Sequence, residues 1–233
     1  MRPLMKLLIK NNNFDLKIIL TDQHLENKFG NTFKNVLSDF KKKDIISIKF
    51  KNNRLDTKFY RALSLVDYGK AFTRTIKKLS PDIFILYGDR SEVAISSIIL
   101  FSLGIPIIHL QGGDVSGSLD NTYRHVISKF SNFHLVSNPN SRENLIKMGE
   151  RKNFIKIVGD HHLDNLKENK LYSKEYILEK FKIKKKYCIV LQHSETTQSE
   201  NAKSQMLISL KALDAYDIEK IVIYPCTDPG WKG

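Results

Sequence analysis

The chain has 233 residues, 41% of them hydrophobic, enough for an ordinary core in one large domain or two small ones. No apolar run reaches the roughly 18 residues of a spanning helix. The N-terminus also lacks a signal-peptide pattern, so a soluble cytoplasmic protein with no membrane partner is expected. The formal net charge of +13 raises nucleic acid as a partner, yet the lysines are scattered, with brief runs at Lys41 to Lys43 and Lys184 to Lys186 and no interleaved aromatic stripe. No nucleic-acid partner is therefore expected, only a general pull on anionic small molecules.

In chain order, Arg2 to Lys10 predicts a helix that stops in the Asn11-Asn12-Asn13 run. Strands follow at Leu16 to Leu20 and Ile45 to Phe50. A long amphipathic helix runs from about Arg61 to Leu79, carrying Leu63, Val66, Phe72, Ile76 and Leu79. Pro81 ends it and leads into a strand at Ile83 to Tyr87. Val93 to Leu103 has helical length and an apolar face, and Ile105 to Leu110 is again a short β-branched run. Strand, crossover helix and strand in that order make a parallel βαβ unit. Strands buried on both faces read as continuously hydrophobic, which leaves the polar groups to the loops.

Beyond Arg124 a helix continues to about Phe130, followed by a strand at Phe133 to Val136, a helix opened by Pro139 and a strand at Phe154 to Val158. After Gly159 the rhythm restarts, with helices near Leu163 to Lys167 and Lys174 to Phe181 and a strand at Tyr187 to Leu191. A helix at about Ala202 to Tyr216 and a strand at Ile221 to Tyr224 complete the pattern. The expected domains are therefore 1–159 and 160–233, the second only begun, since two parallel strands and one crossover helix cannot cover both faces of a sheet. The first domain opens on a helix with no strand before it, so the chain is expected to be incomplete at each end. Cys188 and Cys226 fall on a strand and at the end of the next, and are expected to be free thiols in a reducing compartment.

The chemistry-bearing residues sit where parallel strands would end, which is where open α/β sheets keep their ligands. These are Gly88-Asp89-Arg90, Gln111-Gly112-Gly113-Asp114, then Asp120 and Arg124. Each also has a plain structural use: Asp89 can cap a helix, and Asp120 with Arg124 can be an i,i+4 surface pair. Gly112, Gly113 and Gly117 can permit a tight turn rather than cradle phosphate, because an inward Asp114 would repel it. His109 and His125 read as structural or supporting, and His193 as either a buried histidine or a ligand contact. Asp160, His161, His162 and Asp164 hint at a metal, without an ordered set of further ligands. Asp22-x-His24, Gly88-Asp89 and Gly159-Asp160-His161-His162 also follow the order of a metallophosphoesterase, but Arg90-Ser91-Glu92 stands where its second acid belongs.

Four segments carry a more specific pattern. Tyr87-Gly88-Asp89-Arg90, His109 to Gly117, Asp120 with Arg124 to Lys129, and Leu191-Gln192-His193 with Thr196-Thr197 together resemble the hydrolysing UDP-N-acetylglucosamine 2-epimerases of sialic and legionaminic acid synthesis. Tyr224 to Gly230 is similar to a turn in that family's second domain. The resemblance implies a GT-B-like α/β fold, with two Rossmann-like doubly wound domains, a nucleotide sugar between them, and no metal or redox cofactor. It implies conversion of UDP-N-acetylglucosamine to N-acetylmannosamine and UDP by a full-length homo-oligomeric enzyme. Asp89 and Asp120 fall on catalytic carboxylates of the family, Arg124 on its arginine, and His193 near the nucleotide, with Gly112, Gly113 and Asp228 on the substrate side. Gln111 falls on a position that is often glutamate, and an amide hydrogen-bonds but takes no proton. A GT-B glycosyltransferase or a non-catalytic fragment are the other readings of the same pattern.

Overall fold

The computed structural model describes residues 1–25, 32–50, 58–117, 119–168, 171–225 and 230, and among these the side chains of Asp22, Gln23, Lys58, Asn165, Glu168 and Thr196 are left aside. Cys226 and Asp228 lie outside the described residues. The chain divides into two compact units, Met1–Asn165 and Leu166–Gly233.

In the first unit, helix α1 (Arg2–Lys10) precedes strand β1 (Ile18–Thr21), short helix α2 (Phe33–Leu37), β2 (Ile45–Ile48) and the long α3 (Lys58–Leu79). There follow β3 (Phe84–Tyr87), α4 (Ser91–Ser102), β4 (Ile107–Leu110), α5 (Leu119–Phe130), β5 (Phe133–Val136), α6 (Pro139–Lys147), β6 (Ile155–Ile157) and α7 (His161–Glu168). Strands β3 to β6 form one parallel sheet in sequence order, with Phe84 opposite Ile107, Ile108 opposite Phe133 and His134 opposite Ile155. Strands β1 and β2 pair in parallel as a separate ladder. Each crossover is a helix, as parallel strands require.

The strands are shorter than the apolar runs that predict them. The run into Ile155 begins as a 3-10 turn over Lys152–Phe154, and Pro106, without an N–H, precedes the first paired residue of β4. Helix α5 begins at Leu119, ahead of the run beyond Arg124, so Asp120 and Arg124 both lie inside it at the expected i,i+4 spacing. The short helix α2 has no counterpart in the predicted elements.

The main core forms where α3 and α4 meet the sheet: Tyr68, Phe72 and Ile76 from α3, Ala94 and Leu100 from α4, with Leu86, Ile107 and Ile127. Each of the Leu, Ile and Phe side chains contributes roughly 1.5–3 kcal/mol on burial. Tyr68 and Ser96 join α3 to α4 by a buried 2.7 Å hydrogen bond. A second cluster of Val136, Leu145 and Ile155 fixes α6 against β5 and β6. Together these hold the carboxyl ends of β3, β4 and β6, from which the candidate site is built.

The second unit contains α8 (Lys174–Lys180), β7 (Tyr187–Val190), α9 (Ala202–Leu213) and β8 (Glu219–Val222), with β7 and β8 parallel. Cys188 on β7 is a free thiol. No described helix is long and apolar enough to cross a membrane.

Candidate active site

At the base of the site is a buried histidine. His109, on β4 and fully buried, lies with Nε2 2.9 Å from the Gly88 carbonyl and Nδ1 3.0 Å from Ser128 Oγ on α5. Burial pushes its pKa down from 6.5 to about 4, so the ring is neutral. The Gly88 carbonyl can only accept, which places the proton on Nε2 and leaves Nδ1 to accept from Ser128. Room for this arrangement comes from Gly112: a Cβ there would stand 2.7 Å from His109 Nδ1 and 2.8 Å from Ser128 Oγ. The histidine that the sequence reads as structural thus ties down the turn that carries Asp89.

Asp89 does not cap α4, whose first turn receives no side-chain cap. Its Oδ2 instead accepts from Arg124 Nη2, across from β3 to α5. The guanidinium also donates from Nη1 to the Asp114 carbonyl at 3.0 Å and to Ser116 Oγ at 3.3 Å. The Arg124 side chain is only 11% exposed and that of Asp89 29%, so this is a largely desolvated, charge-assisted pair rather than a surface one. Asp120 is half-buried in the first turn of α5, one helical turn before Arg124. Three of the sequence-predicted residues therefore gather at the carboxyl ends of β3 and the start of α5.

The glycine loop after β4 is packed, not open. Gly113 has φ +83°, and a Cβ there would lie 2.2 Å from the Ser141 carbonyl of α6. Asp114 turns toward α6, where its Oδ1 accepts from Ser141 Oγ and, at 3.5 Å, from Asn138 Nδ2. Asn144 Nδ2 donates to the Gly113 carbonyl at 2.9 Å. Gly112 and Gly113 are both buried, and they permit a tight turn that seats the loop on α6.

Gln111 opens that loop with φ +61°, an uncommon conformation for a residue with a side chain. Its Nε2 donates to Asp160 Oδ1 at 2.9 Å, after the end of β6. The same oxygen accepts from the His162 backbone N–H at 2.8 Å and from His162 Nδ1 at 3.0 Å. Hydrogen bonding from that backbone N–H, more than any other cause, holds the Asp160 carboxyl below its ordinary pKa. His162 Nε2 lies 3.3 Å from Tyr87 OH, and the His161 and His162 rings sit 4.3 Å apart.

Sequence reasoning did not place Asp160, His162 and Tyr87 with Gln111. The available signal was positional: Gly159-Asp160 follows β6 as Gly88-Asp89 follows β3. Among the described residues, Asp160, His161 and His162 bring metal-type donors within 4.8 Å of one another. Two of those donors, Asp160 and His162, already bond each other, while His161 Nε2 is buried with no hydrogen-bond partner among the described residues. Of the residues in the metallophosphoesterase order, Asp89 is engaged by Arg124 and His24 Nδ1 lies 2.7 Å from Thr32 Oγ1. His193 follows β7 in the second unit and is exposed.

Comparison with known proteins gives this geometry a family. The chain is 31% identical over 233 residues to the UDP-N,N'-diacetylbacillosamine 2-epimerase (hydrolyzing) of Legionella pneumophila, covering 99% of this chain and 61% of that protein. It is 26% identical over 232 residues to the UDP-N-acetylglucosamine 2-epimerase of Neisseria meningitidis, covering 99% of this chain and 60% of that one. The chain thus spans about three-fifths of the length of these relatives. The crystal structure of a Neisseria meningitidis UDP-GlcNAc 2-epimerase bound to UDP-GlcNAc superposes with a TM-score of 0.76 at 20% identity, over 99% of this chain and 63% of that one. The Methanocaldococcus jannaschii enzyme in complex with UDP-GlcNAc and UDP gives 0.75 at 18% identity, over 99% and 63%. These superpositions give the fold class, α/β and GT-B-like with parallel sheets. Residues 6–232 match the family profile described as UDP-N-acetylglucosamine 2-epimerase, and the chain belongs to that family.

Proposed function

We propose that this chain carries the N-terminal catalytic half of a hydrolysing nucleotide-sugar 2-epimerase that converts UDP-N-acetylglucosamine and water to N-acetylmannosamine and UDP, in nonulosonic acid synthesis. Residues 1–159 form its first Rossmann-like domain and 160–233 open the nucleotide-binding one, with His193 and Asp228 on the nucleotide side. The observation that carries the reading is the desolvated Asp89–Arg124 pair at the sheet's carboxyl edge, in a chain of this family.

The chemistry explains why carboxylates are needed there. The hydrogen at sugar C2 is barely acidic until departure of the diphosphate from C1 builds oxocarbenium character. Elimination then gives a glycal, and water adds to return a free sugar inverted at C2. Asp89 and Asp120 supply negative charge beside the developing cation, as such a transition state requires. Arg124 orients Asp89, and the packed Gly112-Gly113 turn fixes where β4 delivers Gln111.

A second substrate reading has specific support: the relatives from Legionella pneumophila and Campylobacter jejuni, at 31% and 30% identity, are both named for UDP-N,N'-diacetylbacillosamine. Incubating the protein expressed from its complete reading frame with both sugars, and following UDP release and the C2 configuration of the product, decides between them. Asp89→Asn should lower kcat by roughly 10²-fold or more on the true substrate. Unchanged turnover in that variant would remove Asp89 from the mechanism, and transfer of the sugar to an acceptor instead of water would identify a glycosyltransferase.

A further inference from the structure

The first turn of α7 holds an imidazole that the chemistry above does not use. The His161 side chain is only 15% exposed, yet its Nε2 is buried with no hydrogen-bond partner among the described residues. Its Nδ1 stands 3.8 Å from Asp160 Oδ1, beyond hydrogen-bond range. Ring contacts hold it instead, edge-to-face with Tyr87 at 4.8 Å between centroids and tilted against His162 at 4.3 Å. A buried nitrogen left unpaired is costly, and a neutral imidazole always has one lone pair to give. The Asp160 carboxylate beside it also offers only lone pairs. A cation between the two satisfies both.

We propose that Asp160, His161 and His162 bind a divalent transition cation of the zinc class. The site lies beside Gln111 and is independent of the epimerase reading, with no step of that reaction assigned to it. Two imidazoles and a carboxylate form a donor set that suits zinc, whereas magnesium and calcium take oxygen ligands. Zinc–nitrogen bonds of roughly 2.0–2.1 Å in a tetrahedral arrangement put neighbouring ligand atoms roughly 3.4 Å apart. Asp160 Oδ1 lies 3.0 Å from His162 Nδ1 and 3.8 Å from His161 Nδ1, on either side of that spacing. One ligand atom from each of the three residues falls within 4.8 Å of the others, so the widest gap closes with a movement of roughly 1.4 Å. His162, 56% exposed, is free to turn by that much about its side-chain bonds. Outer contacts hold the ligands in place: Gln111 Nε2 donates to Asp160 at 2.9 Å, and a metal on His162 Nδ1 leaves the ring proton on Nε2, 3.3 Å from the Tyr87 oxygen. Asp164 in the first turn adds negative charge against the α7 dipole, whose positive end lies here. Three protein ligands leave a fourth position open to water or an anionic ligand.

The test uses the protein expressed from its complete reading frame, without a histidine tag and stripped of metal by a chelator. Zn²⁺ titrated into it in a calorimeter should bind tightly at one equivalent per chain, and excess Mg²⁺ should not displace it. Co²⁺ in its place should give the visible absorption of a four-coordinate site. His162→Ala, at an exposed position where folding is not at stake, and His161→Gln should each remove that equivalent. Gln111→Ala should weaken it by roughly 10-fold or more. Zn²⁺ should also raise the melting temperature of the wild type and leave that of either histidine variant where it is. Wild-type protein that takes up no tight equivalent, or histidine variants that bind as the wild type does, overturn the proposal. So does Mg²⁺ competing on equal terms, which would make the cluster an oxygen-ligand site. A protein that takes up zinc at these residues but releases UDP from neither sugar loses the epimerase reading and keeps this site, whereas normal turnover without zinc uptake removes the site alone.

Discussion

The β3–β6 sheet of the first unit and the β7–β8 ladder of the second are assembled by one rule, strand then crossover helix then parallel strand, yet they bury their strands very differently. On β4 of the first unit, Ile107, His109 and Leu110 are buried and Ile108 is half-buried. On β7 of the second unit Val190 alone is buried, while Ile189 is 62% exposed and Tyr187 40%. The apolar runs that encode them, Ile105 to Leu110 and Tyr187 to Leu191, are nearly indistinguishable. The difference lies in neighbours: β4 has a strand on each side and helices from α3 to α5 around it, whereas β7 pairs among the described residues with β8 only. An apolar run therefore specifies a strand, and the number of elements that reach it sets how much that strand is worth.

The sharpest way to break this comparison is to crowd the tightly packed region. Gly113→Ala forces a side chain into a left-handed backbone and against the Ser141 carbonyl, and should destabilise the first unit by roughly 4 kcal/mol. Urea unfolding followed by hydrogen exchange on β4 and α6 reads it; a loss under about 1 kcal/mol would mean that the loop and α6 are free to part. Next comes a matched pair of truncations. Ile107→Ala, at a fully buried position on β4, should cost about 3 kcal/mol. Ile189→Ala should change the second unit by only a few tenths. Equal losses at the two sites would show that the strands are covered alike in the folded protein.

A smaller effect follows from acid. His109 is held neutral, with a pKa lowered from 6.5 to about 4 by burial, so the unfolded chain binds the extra proton through that window. Its stabilising contribution is complete above about pH 6.5 and is lost as pH falls toward 4, on the order of 3 kcal/mol in all. His125, His134 and His161 are displaced in the same direction, with desolvation first among the causes, and add to the slope. The loss should fall on the first unit, seen as exchange protection factors at β4 and β5, taken relative to the intrinsic rate at each pH, falling from pH 7 to pH 4. A His109→Gln variant should flatten the slope; an unchanged slope would assign it to the other histidines.

Much of this fold and site is legible in the sequence. The strand–helix alternation, the carboxyl-edge position of Asp89 and Arg124's place on a helix with Asp120 all follow from local periodicity and spacing. What periodicity cannot report is partnership across the sheet. Asp89 could equally have capped α4, and only the packing of α5 brings Arg124 to it. The same holds for Gln111 and Asp160, 49 residues apart, which meet because β4 and β6 both end at the same edge. The sequence under-reports His109 for a related reason: its role depends on Gly112 having no side chain and on Ser128 arriving from α5, neither of which is a local signal. Gly112 and Gly113 look like a ligand loop in sequence, and their packing against β4 and α6 emerges only in three dimensions.

The finest division between the two regions is in their helix caps. Asn138 opens α6 and Ser173 opens α8 by the same device, a side-chain oxygen accepting from a backbone N–H three residues on, at 2.9 Å from Ser141 and 3.2 Å from Tyr176. Asn138 is half-buried and also donates to Ser137 Oγ at 3.1 Å, so Asn138→Ala leaves several groups short of partners that water cannot readily replace. Ser173 is exposed, and water can take over from its hydroxyl. Asn138→Ala should therefore cost about 2 kcal/mol and Ser173→Ala about 0.5, the two ends of the range known for such caps. Thermal melting monitored by exchange at the first turn of each helix separates them. Equal costs would show that burial of the capping residue does not set what the cap is worth.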